Sequence, residues 1–150
     1  MRTSSRSAAF IVLLVALSLL VGCSGAGSNP CGHLVYKEGG LTREEYLPCA
    51  GQMLAAMDAI DEARAKVQKG DVGARFKMAG EYQRLSGMIR SAGGRNLLER
   101  WDDESLTRLN VSLWNAYTHY QAIMLIPNDA DADAATRNKD EARSLYDELR

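Results

Sequence analysis

The stretch Leu106-Thr-Arg-Leu-Asn-Val-Ser-Leu-Trp-Asn-Ala-Tyr-Thr-His-Tyr-Gln-Ala-Ile123 decides the fold class of this chain. Leu106, Leu113 and Tyr120 recur at steps of seven, and Leu109, Ala116 and Ile123 follow each of them by three. Residues three and four apart share one face of an α-helix, so this spacing is the a/d seam of a helix packed against others. Trp114, Tyr117 and Met124 widen the seam into a face broad enough for a bundle core. Asp102, Asp103 and Glu104 stand at its start, where the helix dipole favours acids, and Pro127 closes it.

Moving towards the N-terminus, Val72, Phe76, Ala79, Tyr82, Leu85, Ile89 and Ala92 form a second stripe that ends at Gly93-Gly94. Gly70 is a natural stop for the helix before it, and Asp71 a natural N-cap for this one. Met53, Met57, Ile60 and Val67, flanked by Leu54, Ala56 and Ala63, predict a helix from Pro48 to about Lys69. Thr42 with Glu45 is a capping box that starts helix earlier. Pro48 then interrupts the pattern: either the first turn is separate, or Pro48 opens the main helix at its first position, where a missing N–H costs nothing.

Asn96 with Glu99 predicts a short helix carrying Leu97, Leu98 and Trp101. Towards the C-terminus, Asp133 can cap a last helix with a thinner stripe of Ala142, Leu145, Tyr146 and Leu149. No segment of useful length alternates with the period of two that a strand requires. The expected architecture is all-α: an antiparallel up-and-down bundle of about four main helices over residues 42–150, after a non-helical lead-in that ends in the Gly39-Gly40 turn.

Residues 1–22 have a different character. Arg2 and Arg6 precede an apolar run from Phe10 to Val21, a positive n-region and an h-region. The run is too short to cross a hydrocarbon core, which takes about 20 residues. Leu20-Val21-Gly22-Cys23 follows: an aliphatic residue, a second aliphatic, a glycine and a cysteine. In these four residues the chain resembles bacterial lipoproteins, whose lipobox has this pattern.

The resemblance covers only the first two dozen residues. It implies cleavage between Gly22 and Cys23, a diacylglyceryl group on the Cys23 thiol, usually a further acyl chain such as palmitate on the new amine, and anchoring in the bilayer of the cell envelope. Two or three acyl chains hold a protein where a single chain lets it leave, since each buried methylene adds about 0.8 kcal/mol. Ser24, in place of Asp after the cysteine, leans such a lipoprotein towards the outer membrane, periplasmic face, of a host with two membranes. Residues 24–30 are small and flexible, suited to a short tether, so residues 23–41 are expected to be lipidated cysteine, tether and lead-in.

With Cys23 acylated, Cys31 and Cys49 remain, and an oxidising envelope favours pairing them. The competing use of Cys31, His33, Cys49 and His119 as metal ligands does not have the spacing of a zinc site. Loss of Arg2 and Arg6 with the leader makes the mature chain more acidic than the formal charge of −1 for the whole sequence, which argues against a nucleic-acid partner.

Chemistry-bearing motifs are sparse. There is no His-Glu-x-x-His, Gly-x-Ser-x-Gly or Walker-type loop. His119, between Tyr117 and Tyr120, is read as a rim histidine; its alternative is an axial haem or metal ligand with Met53, Met57, Met78, Met88 or Met124 opposite. Asp129, Asp131, Asp133 and Asp140 imitate the oxygen spacing of an EF-hand loop. Ala134, Thr136 and the short Asp140 stand where that loop needs glycine, an aliphatic residue and a bidentate glutamate. Glu99 with Asp102 or Asp103 is a carboxylate pair that capping explains equally well. Asn110-Val111-Ser112 fits the glycosylation sequon inside a predicted helix.

The expected function is therefore a membrane-anchored envelope lipoprotein with a non-catalytic helical interaction module, no cofactor, and an envelope protein as partner. The alternative is a ligand-binding bundle for haem, another small molecule or calcium.

Overall fold

A computed structural model describes residues 31–32, 34, 41–92 and 103–150. They form four helices: α1 (Arg43–Gln68), α2 (Gly73–Ser91), α3 (Glu104–Leu125) and α4 (Asp129–Leu149), with no strand among the described residues. The Asn96–Trp101 helix, His33, Glu99, Asp102 and the whole of residues 1–30, Cys23 included, lie outside them.

The local code sets each boundary. At the start of α1 the Glu45 amide donates to Thr42 Oγ1 at 3.3 Å, and the Thr42 amide donates to Glu45 Oε2 at 3.0 Å, so the capping box is complete. Pro48 neither separates a turn nor opens the helix, and both expectations are corrected: α1 runs unbroken through it. One intrahelical bond is lost there. The neighbours Tyr46, Cys49 and Ala50 are all fully buried, and that packing carries the helix across the gap.

The end of α1 is a Schellman motif. Gly70 takes φ of 93°, a conformation in which a Cβ is strained, while the Gly70 amide reaches the Val67 carbonyl at 2.9 Å and the Asp71 amide the Lys66 carbonyl at 3.0 Å. Asp71 accepts from the Ala74 amide at 3.1 Å, but the N-cap position itself falls to Val72, one residue later than expected. α3 starts where its acids predict, with Asp103 Oδ1 accepting from the Ser105 and Leu106 amides at 2.9 and 3.2 Å.

α4 departs from expectation by a full turn. Asn128, not Asp133, is its N-cap, and Asn128 Oδ1 accepts from the Asp131 amide at 2.8 Å. With Pro127 just ahead to end α3, an asparagine satisfies the first orphan amides at once and leaves no reason to wait for Asp133.

The helices run up, down, up and down. α1 packs along α2 and α3 along α4, α1 also meets α3 and α4, and α2 touches α3 but not α4. The expected seam of α3, Leu106, Leu109, Leu113, Ala116, Tyr120 and Ile123, is buried throughout. It meets Met53, Met57 and Ile60 of α1, Leu85 and Met88 of α2, and Ala135, Ala142 and Leu145 of α4 in one core. Gly51 permits a close approach of α1 and α4, since a Cβ there would sit 2.6 Å from the Tyr146 hydroxyl.

The lead-in is pinned by a Cys31–Cys49 disulfide with a Cα–Cα distance of 5.1 Å, and Leu34 and Leu41 are buried beside it. No helix among the described residues is long and apolar enough to cross a membrane.

Candidate functional site

The two ends of the bundle differ. At the proximal end the lead-in enters, Cys31 joins Cys49, and Arg43 of α1 meets Asp103 at 3.0 Å. The distal end carries the α1–α2 turn and the α3–α4 turn, brought together where Arg64 approaches Asp129. At 26 residues, α1 sets these ends about 39 Å apart at 1.5 Å per residue.

Four large apolar side chains stand in water at the distal end: Val72 (69% exposed), Phe76 (81%), Leu125 (75%) and Ile126 (73%). For Val72 and Phe76 this corrects the expected core stripe of α2. They lie in its first turn or just before it, about 200° around the helix from the buried Ala74, and Ala74 with Met78 carries the packed face of α2 to this end. Apolar residues on both sides of a helix allow more than one stripe to be drawn, and only the neighbouring helix decides which one is buried.

Between the two turns lies a cavity of about 220 Å³, walled by Val67, Met78, Ile123 and Pro127, with Arg64, Gln68, Asn128 and Asp129 at its polar edge. Arg64 retains 23% of its side-chain exposure, and its ionic contact is Asp129 at 3.8 Å, whose side chain is 99% exposed. Beside this mouth, His119 Nδ1 lies 2.8 Å from Asp131 Oδ1. Hydrogen bonds from Asn128 and then His119 hold the Asp131 carboxyl below its ordinary range, so the carboxylate accepts and Nδ1 is the donor. His119 is half-exposed on the rim and is not part of the cavity wall.

The acids of the suspected calcium loop take a different form. Asp129, Asp131, Asp133 and Asp140 all belong to the continuous helix α4, which corrects the loop reading, and Asp133 and Asp140 point to solvent. Among the described residues no three His, Cys, Asp or Glu side chains are placed to hold a metal. Met53, Met57 and Met88 are fully buried core residues, while Met78 and Met124 are half-buried. Asp103 is the N-cap of α3; its bond from Arg43, followed by that from the Leu106 amide, lowers its pKa. Asn110 of the sequon is 3% exposed and accepts from the Tyr46 hydroxyl at 2.7 Å, a position closed to modification in the folded domain.

A polar cluster unsuspected from the sequence links α1, α3 and α4. Lys139 Nζ lies 3.1 Å from Asp58 Oδ1 and 2.5 Å from Asp61 Oδ2; Tyr120 donates to the same Asp61 oxygen at 2.8 Å, and Arg143 reaches Asp58 Oδ2 at 2.6 Å. Burial opposes the charge on Lys139, but its bonds to Asp61 and Asp58 outweigh that and raise its pKa above the usual lysine range. The Tyr120 hydroxyl is pushed far up, first by burial and then by the Asp61 charge. Every polar member has a partner, which makes this a clamp between helices. The available signal was Lys139 at a core-facing position between Ala135 and Ala142.

Comparison with protein-family models, characterised proteins and solved structures finds no match for this chain, so the site stands on its own geometry.

Proposed function

We propose that this chain is an envelope lipoprotein, anchored through acylated Cys23, whose helical bundle is a non-catalytic module that docks another envelope protein on its distal end. The observation that carries this reading is the placement of Val72, Phe76, Leu125 and Ile126. Burying such a side chain is worth roughly 1.5–3 kcal/mol, and four left in water at one end supply the driving force for association. They lie at the end opposite the Cys31–Cys49 bridge, where the chain arrives from Cys23. A partner can therefore reach them without displacing the tether. In a host with two membranes, Ser24 favours the periplasmic face of the outer membrane as the site of anchoring.

Two measurements test the two halves of the proposal. Cys23→Ala should move the protein from the membrane fraction to the soluble fraction or leave it as uncleaved precursor; a normally processed variant that stays membrane-bound refutes the anchor. A photo-crosslinking phenylalanine analogue at position 76 should yield a defined adduct with one envelope protein in intact cells. Adducts with lipid alone, or none while the protein is abundant, refute the docking role.

A further inference from the structure

We infer that the distal cavity binds a small organic anion with an apolar body, its carboxylate on Arg64 and its body against Val67, Met78, Ile123 and Pro127. This rests on the distal end being the docking end, and it names the chemistry that the end selects.

The case begins with the open hydrogen-bond donors of one cation at the cavity edge. A guanidinium offers five N–H donors in a planar fork, and its apolar stem can line a cavity while the charged head reaches water. Arg64 keeps 23% of its side-chain exposure and its guanidinium nitrogens are open to solvent; among the described residues its ionic contact is Asp129 at 3.8 Å, outside hydrogen-bond distance and itself fully solvated. Lys139, the more deeply buried cation, has two carboxylates within hydrogen-bond distance. Arg64 lacks such an arrangement and faces a hole.

The hole specifies the rest of the ligand. Its apolar walls come from three helices and the α3–α4 turn, so they hold their positions without a ligand. Its 220 Å³ corresponds to about seven groups the size of water at ~30 Å³ each, room for a short aliphatic chain or a leucine-sized side chain. A carboxylate matches the guanidinium fork with two parallel bonds. Gln68 lies at the same edge, while the Asn128 amide is committed to Ile126 and Asp131. Two sources share this chemistry: a free short-chain acid, and the C-terminal residue of a partner polypeptide ending in an apolar side chain.

The test uses the mature protein in lipid nanodiscs with isotope-labelled methionine methyls. The Met78 methyl reports the cavity, and Met53 and Met57, buried elsewhere in the core, are internal controls. Titration with hexanoate should shift Met78 saturably, half-way at about 1 mM, and leave Met53 and Met57 unmoved. The neutral isostere hexanamide should bind about tenfold more weakly. Arg64→Gln should lose the same factor, and Arg64→Lys, which keeps the charge without the fork, should fall between. An unchanged melting temperature certifies the variants as folded.

A short peptide ending in leucine, as free acid and as amide, separates the sources. Tighter binding of the free-acid peptide than of hexanoate assigns the site to a polypeptide terminus, and the reverse to a small acid. No saturable Met78 shift, equal binding of hexanoate and hexanamide, or an Arg64→Gln protein that binds unchanged overturns the inference. The crosslink from position 76 is read independently, so failure of the cavity and failure of the docking end are distinct results.

Discussion

Lys139 shows how one residue can tie three helices. Its ammonium is held by Asp58 and Asp61 of α1, and Tyr120 of α3 completes the Asp61 oxygen. Lys139→Met fits an apolar stem into the same stripe but leaves Asp61 without its cation. A loss of about 2–3 kcal/mol is expected in urea unfolding, with Asp61→Asn in the same chain restoring part of it. Acids at the helix starts act in the opposite pH range from a lysine. Asp103 and Asp131 have lowered folded pKa values, so the stability they contribute is present above the unfolded aspartate value of about 3.9 and is lost as pH falls through the folded values. Melting temperature followed from about pH 6 down to about pH 2 should fall less steeply for Asp103→Asn and Asp131→Asn than for the parent. Both carboxylates are half-exposed, so added salt should shrink the difference. The Lys139 pairings were not visible beforehand, because Lys139 and Asp58 are 81 residues apart and nothing local marks them as neighbours.

Among the elements, α1 carries the one plain conflict between local preference and structure. Pro48 lies inside it, beyond the first turn where proline is tolerated, and the helix continues because Tyr46, Cys49 and Met53 on either side are fully buried. Pro48→Ala restores the missing hydrogen bond to the Glu44 carbonyl and relieves the ring. It should stabilise the protein by about 1–3 kcal/mol in denaturant unfolding, partly offset by a freer unfolded chain. The caps were more legible than the interiors: Thr42 with Glu45, Gly70 and Asp103 act as their residue types dictate, since a cap is a bond between near neighbours. The start of α4 was misplaced because Asn128 and Asp133 are both good caps, and Pro127 makes the earlier one the first that the chain can use.

For the whole molecule, the disulfide and the asymmetry of the two ends matter most. The Cys31–Cys49 bridge closes a sequence separation of 18, and Cys31→Ser with Cys49→Ser should cost about 3 kcal/mol, read as a lower denaturant midpoint with the helical signal retained. The proximal end is thus stapled and the distal end left apolar, an arrangement suited to a tethered module that presents its far end. By itself the sequence determined the helical class, the seam of α3, most of the caps and the pairing of two cysteines. Periodicity, capping and chain composition are properties of residues close together along the chain. Only the tertiary structure decided that Val72 and Phe76 face water, that Lys139 finds its acids, and that Arg64 stands at the edge of an apolar cavity. Those outcomes depend on how the helices are set against one another, which no local pattern encodes.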